Sequence, residues 1–315
     1  MKEITVQDAT TGRQPTKRRR RFPFYQTWRL HLMLLPAVII ALIFKYAPMP
    51  GIIMAFQDFK PWLGISDSAW VGWENYKLIF TLSDSKQVIA NTLIISTLKI
   101  IFGLVVPVFF ALLLNELRSM ALKRSVQTLV YLPHFMSWVI LGGILLDLLS
   151  LEGMVNQLLG WVGLPQVMFL GDGTWFRVTI IVSDLWKEFG FSAIVFLAAL
   201  SGINPALYEA AEIDGAGRMK QTLYITLPSL LPIIIVVFTL SLGSMLNANF
   251  DQIYNLINPL VLSQGDIIDT YVYRAFQEGQ YSLATAVGVF KSLVGFILIG
   301  GGYYIAYRWA NYRIF

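Results

Sequence analysis

The sequence predicts an all-α integral membrane bundle of about six transmembrane helices. Composition is the first reason: 56% of the 315 residues are hydrophobic and 14% are charged, where soluble domains run at roughly 45–50% and roughly 25%. The second is a mean hydropathy of +0.61. The third is distribution, because the apolar residues are gathered into blocks of the length a helix needs to cross hydrocarbon, about 20 residues. Inside a bilayer each backbone amide must be satisfied within its own segment, so blocks of this length are expected as helices and not as strands.

Taken in order, residues 1–29 form a basic arm, of which the first 15 or so are expected to be disordered. A membrane domain over 30–307 follows, with spans at about 30–55, 88–115, 126–150, 176–200, 224–248 and 284–307, a loop at 201–223, and a tail at 308–315. The first block runs on through Lys45, Tyr46, Pro48 and Pro50 with no small-residue cleavage site, so it is a retained span and not a removed signal peptide. Six spans put both termini on one side. That side carries fifteen Lys and Arg, the run Lys17–Arg21 among them, against five in the opposite loops. Positive charge stays inside, so both termini are expected in the cytoplasm. The same distribution assigns the net charge of +5 to membrane topology rather than to nucleic acid. The opposite loops hold Trp62, Trp70, Trp73, Tyr76, Trp161 and Trp175, suited to anchoring at the lipid interface. Without cysteine there is neither a disulfide framework nor a thiolate metal site.

The loop at 201–223 spells out a helix and its end. Asn204 is an N-cap, Pro205 suits the first helical position, and Gly215 or Gly217 can adopt the left-handed conformation that stops it. A helix of about ten residues should stand free of the membrane, with a small-residue surface from Ala206, Ala210 and Ala211. Leu207 and Ile213 are apolar side chains that so small a loop cannot bury alone. Such a helix is shaped to dock into a groove of another protein. Leu223–Leu227 then leads back to the membrane, where Pro228 and Pro232 cost little near a helix start.

Glu209-Ala210-Ala211, Gly215, Ile225 and Leu227-Pro228, at these spacings, resemble the EAA signature of permease subunits of binding-protein-dependent ABC importers. Val71–Tyr76 and Asn91-Thr92-Leu93 resemble segments of carbohydrate-uptake permeases. Asp251–Tyr254, Ile267–Arg274 and Ala286–Ser292 resemble the branch importing oligosaccharides or polysaccharide fragments. The resemblance covers residue 25 to the end. It implies a permease-like bundle of the type I importers in a bacterial inner membrane, with the loop helix coupling to a cytoplasmic ATPase through Glu209, Ala210, Ala211, Asp214 and Gly215. The implied partners are a second permease, two ATPase subunits, an extracytoplasmic sugar-binding protein and an oligosaccharide. No cofactor is expected on this chain, ATP and magnesium belonging to the ATPases. In agreement, no Gly-rich stretch leads into Gly-Lys-Ser or Gly-Lys-Thr.

Ionisable side chains inside a span are costly and usually face a polar interior. Asp184, Lys187 and Glu188, three and four residues apart, share a helix face. They either line the path of a hydroxyl-rich cargo or pair with one another, or with the partner permease, to hold the spans together. Asn247, Asn249, Asp251 and Gln252 at the end of the fifth block are the second candidate wall. Lys291 meets either an acidic substrate or a structural carboxylate. His31 and His134 belong to no metal-ligand cluster or nucleophile pair, and His134 is expected to be a hydrogen-bonded helix residue. An ion-driven transporter would call for inverted repeats with matched broken helices, and a membrane enzyme for a convergent acid, base or metal set. The sequence shows neither pattern.

Overall fold

The computed structural model describes residues 24–310, with side chains from 28 to 304. Lys17–Arg21, the expected disorder of the first residues and the charges at Arg308 and Arg313 lie outside the described residues or side chains. The chain forms two units, one ending at Gly51 and one beginning at Ile52. In the first, helix α1 (Phe24–Ala41) continues into a π turn at Leu42–Tyr46. It starts six residues before the expected span. Within this unit Leu34, Ile40 and Phe44 are all exposed, and a helix that is apolar all round with no buried face belongs in hydrocarbon.

The second unit opens with a small hairpin, β1 (Gln57–Asp58) antiparallel to β2 (Ala69–Trp70), with the single turn α2 (Gly64–Asp67) between them. Asn75 ties it down, its amide donating to the carbonyls of Ala55 and Gln57 at 3.0 Å each. Helix α3 (Glu74–Thr81) leads into α4 (Ser83–Glu116), whose 34 residues are about 51 Å long at 1.5 Å per residue. α4 lies along a second long helix, α8 (Gly173–Ser201), which is capped by Asp172 through the amides of Thr174 and Trp175.

Between them the expected straight third span is broken. α5 (Met120–Tyr131) runs into a 3₁₀ turn at Leu132–Phe135, and α6 (Trp138–Leu148) restarts on a Ser137 cap with its axis turned by 100°. Pro133 removes a backbone donor at the break. The short α7 (Met154–Trp161) follows.

Beyond α8, α9 (Pro205–Ile213) departs at 68°. α10 (Arg218–Gln221), a π turn at Thr222–Thr226 and α11 (Leu227–Gly243) make one 26-residue span. This span begins and ends about five residues before the expected one. The chain turns at Ser244 and passes through Asn249 in the left-handed region (φ 69°), a conformation Asn tolerates better than most residues. Short helices α12 (Phe250–Leu256), α13 (Leu262–Gly265) and α14 (Ile268–Gln277) precede the last long helix, α15 (Tyr281–Ala310). Among the described residues, four helices are long and apolar enough to cross a membrane, or up to six if each bent pair is one span.

Three apolar clusters hold this unit. One joins Ile79, Val88, Ile268 and Val287, the second Ile95, Phe176, Ile180 and Ile253, the third Ala111, Phe196 and Leu230. Glycine sets the closest approaches. A Cβ on Gly190 would stand 2.4 Å from Val130 Cγ1, so α5 packs on α8 backbone to backbone.

Candidate translocation path and coupling surface

Among the described residues, α4, α8 and the turn before α12 meet around a polar cluster. Lys99 on α4 donates from Nζ to the carbonyl of Ala248 at 3.0 Å and to Gln252 Oε1, and stands 3.4 Å from Asp184 Oδ1. Asp184 Oδ1 accepts from the Asn249 amide at 2.9 Å. Gln252 is fully buried, donating to the Ile180 carbonyl at 2.7 Å and to Ser183 Oγ at 2.9 Å. Charges at membrane depth are tolerated when paired and hydrogen-bonded, and this cluster supplies both.

One side of the cluster opens on a cleft of about 190 Å³ lined by Ser96, Lys99, Asp184, Ser244, Asn247 and Asn249. The Oγ of Ser96 is buried there without a partner among the described residues. A smaller hollow of about 30 Å³ lies between Lys99, Asp184 and Glu188.

The three α8 residues expected on one face therefore divide. Asp184 faces the cleft. Lys187 is buried and donates to Glu188 Oε1 at 3.0 Å and to the carbonyl of His134 at 2.7 Å, with its ammonium 5.7 Å from the Trp138 ring centre. His134 Nδ1 lies 2.8 Å from Glu188 Oε2, and its ring stacks on Phe191 at 3.9 Å. The pair thus grips the break between α5 and α6: Lys187 satisfies a carbonyl that the interrupted helix frees. His134 is hydrogen-bonded as expected, in the 3₁₀ turn.

Of the second candidate wall, Asn247 and Asn249 reach the cleft. Gln252 sits behind it, its amide committed to Ile180 and Ser183, and Asp251 is exposed on α12 away from the cleft lining. Lys291 pairs with Asp269 at 2.5 Å, the structural alternative. Lys99 is the residue that sequence reading overlooks, although an ionisable side chain inside an apolar run is itself the signal. Its partners come from residues 149 and 153 positions away.

At the far end of α8, α9 forms as its sequence dictates. Asn204 Oδ1 accepts from Ala206 N at 3.1 Å, and Gly215, not Gly217, takes the left-handed conformation (φ 76°). The amide of Ala216 returns to the Ala211 carbonyl at 2.8 Å to close the helix. None of its residues is buried, Ile213 is 86% exposed and Glu209 has no ion partner among the described residues. Tyr208 OH meets Thr226 Oγ1 at 2.9 Å, tying α9 to the π turn. Beside it lies a polar hollow of about 580 Å³ lined by Glu116, Arg118, Glu212 and Arg218 among others.

A membrane bundle with a polar seam and a helix projecting from one end has the build of a transport subunit. The family model described as binding-protein-dependent transport system inner membrane component matches residues 100–311, and the chain belongs to that family of ABC-importer permeases. It is accordingly a multi-pass membrane protein and a transport subunit rather than an enzyme. Among its relatives it is 43% identical to Protein LplB of Bacillus subtilis (strain 168), over 91% of each chain. It is 42% identical to the polygalacturonan/rhamnogalacturonan transport system permease protein YteP of the same organism, over 93% of this chain and 92% of the relative. Its fold is similar to a chain of a bacterial ABC transporter involved in the import of the acidic polysaccharide alginate. The TM-score is 0.84 and the identity 40%, covering 91% of this chain and 97% of that one. The alginate transporter in complex with an alginate pentasaccharide-bound periplasmic protein matches with a TM-score of 0.83 at 40% identity, over 90% and 96%.

Proposed function

We propose that this chain is one of two permeases in an importer of acidic oligosaccharides, released to it by an extracytoplasmic binding protein and driven by two ATPase subunits. The observation that carries the reading is the polar cleft held at membrane depth by Lys99, Asp184 and Asn249, in a chain whose near relatives serve polygalacturonan and alginate. Asp184, Asn247 and Asn249 form one wall of the path. They offer carboxylate and amide groups that pair with sugar hydroxyls, each of which must donate and accept when desolvated. Glu188 borders the path from the adjoining hollow, held by Lys187.

α9 is the coupling element. It takes up the groove of an ATPase through Glu209, Ala210 and Ala211, while Asp214 and Gly215 shape its end. ATPase closure shifts the permease between inward-open and outward-open states only through contacts that differ between them, and Glu209 is the charged contact on this surface. With both termini cytoplasmic, α9 and the polar hollow beside it face the ATPase side.

The test is uptake by the complete complex in liposomes, supplied with binding protein and either labelled galacturonate oligomers or uncharged oligosaccharides of equal length. Uptake of the acidic oligomers that requires internal ATP is expected. Uptake that persists without ATP, or is confined to uncharged cargo, overturns the reading.

A further inference from the structure

We propose that Lys99 is the group in the cleft that receives a carboxylate of the cargo, with Ser96 as its hydroxyl partner, so that the site holds one uronate unit in its charged form. The assignment rests on the reading of the cargo as an acidic oligosaccharide.

A carboxylate carried to membrane depth needs a cation, because an unpaired charge there is strongly unfavourable. Among the described residues lining the cleft, Lys99 is the only cation. Four other cations of the bundle are committed elsewhere. Lys187 is held by Glu188 and the His134 carbonyl, Lys291 by Asp269, Arg177 by Asn91 and Gln264, and Arg274 by Asp266.

Lys99 itself is positioned and not locked. Its ammonium is anchored by Ala248 and Gln252 and ion-paired with Asp184 at 3.4 Å, a pairing longer than the roughly 2.7–2.9 Å of a tight charge-assisted contact. Asp184 takes its close hydrogen bond from Asn249 instead.

Ser96 is the second, independent sign of a ligand. It lies one turn before Lys99 on the same face of α4, lines the same cleft, and its Oγ is buried with no partner among the described residues. A buried hydroxyl left unsatisfied is penalised, and a carboxylate oxygen held by Lys99 would accept from it. Asp184 keeps Asn249 and shares Lys99 with the cargo carboxylate, and it accepts from the sugar hydroxyls. One cation, one anion and the amides of Asn247 and Asn249, in about 190 Å³, match a single ring bearing one carboxylate and neighbouring hydroxyls.

The experiment measures binding to the assembled complex without its binding protein, so that selection by that protein does not enter. The probes are a galacturonate pentasaccharide and its methyl ester, followed by saturation-transfer NMR. The wild-type complex is expected to prefer the acid. Lys99→Met should cut the acid-over-ester preference at least tenfold, Lys99→Arg should retain most of it, and Asp184→Asn should raise it by removing the competing carboxylate. A preference that survives Lys99→Met, or acid and ester weakened by the same factor, overturns the assignment. If Lys99→Met does not assemble, a fall in preference with Asp184→Asn or its loss with Lys99→Arg does so. No acid preference in wild type, with ATP-driven uptake of the acid intact, defeats Lys99 while sparing the cargo reading. Failure of that uptake defeats both.

Discussion

Single residues carry much of this structure, and between α5 and α8 the approach is too close for a substitute. At Gly190 any Cβ would collide with both Val130 Cγ1 and the Val130 carbonyl at 2.4–2.5 Å. Gly190→Ala is therefore expected to destabilise the assembled permease by about 1–3 kcal/mol, read as a lower melting temperature in detergent. Val130→Ala should rescue it only in part, since the carbonyl clash remains. Asn249 has two roles, left-handed backbone and amide donor to Asp184. Asn249→Gly keeps the first and Asn249→Ala keeps neither, so the alanine variant should be the less stable by roughly 1 kcal/mol, with cargo binding weakened in both. Asn249 was legible in the sequence as a polar residue at a span end. Its pairing with Asp184, 65 positions away, was not.

Among the elements, α9 is the one whose structure is written locally. Asn204, Pro205 and Gly215 specify its start and stop without help from the rest of the chain, so cap and turn were readable in advance. Asn204→Ala should cost the helix roughly 0.5–2 kcal/mol, and Gly215→Ala roughly 1–2 kcal/mol for its left-handed backbone. Both are expected to lower cargo-stimulated ATPase activity while the permease still assembles. Glu209→Lys should uncouple more severely than Glu209→Ala, because it reverses the charge at the proposed docking surface. Equal, wild-type activity in both Glu209 variants would remove that contact from the mechanism. The broken third span shows the opposite case. Its apolar content reads as one helix, yet Pro133 and the cap at Ser137 divide it, and the division is stable because Lys187 and Glu188 of α8 meet the freed backbone and His134. Lys187→Met would strand that carbonyl and leave Glu188 with His134 alone, and should lower stability by about 1–3 kcal/mol.

For the whole molecule, the absence of native cysteine makes topology directly measurable. Single cysteines at Ser66, Gln166 and Gly279 are expected to react with a membrane-impermeant maleimide from outside intact cells, and those at Ser119 and Asp214 only after the membrane is opened. Gln166 decides whether the broken pair α5 and α6 crosses: reaction from inside would make it re-entrant. The all-α membrane class, the number of apolar blocks, the projecting helix and the family were determined by sequence alone, because composition, hydrophobic block length, charge asymmetry and local capping are properties of contiguous residues. The partners of Lys99, the division of Asp184 from Lys187 and Glu188, the burial of Gln252 and the break in the third span were decided only by tertiary structure. Each depends on side chains remote in sequence meeting where the surroundings exclude water, and there an ionisable or polar group must find whichever partner the packing brings to it.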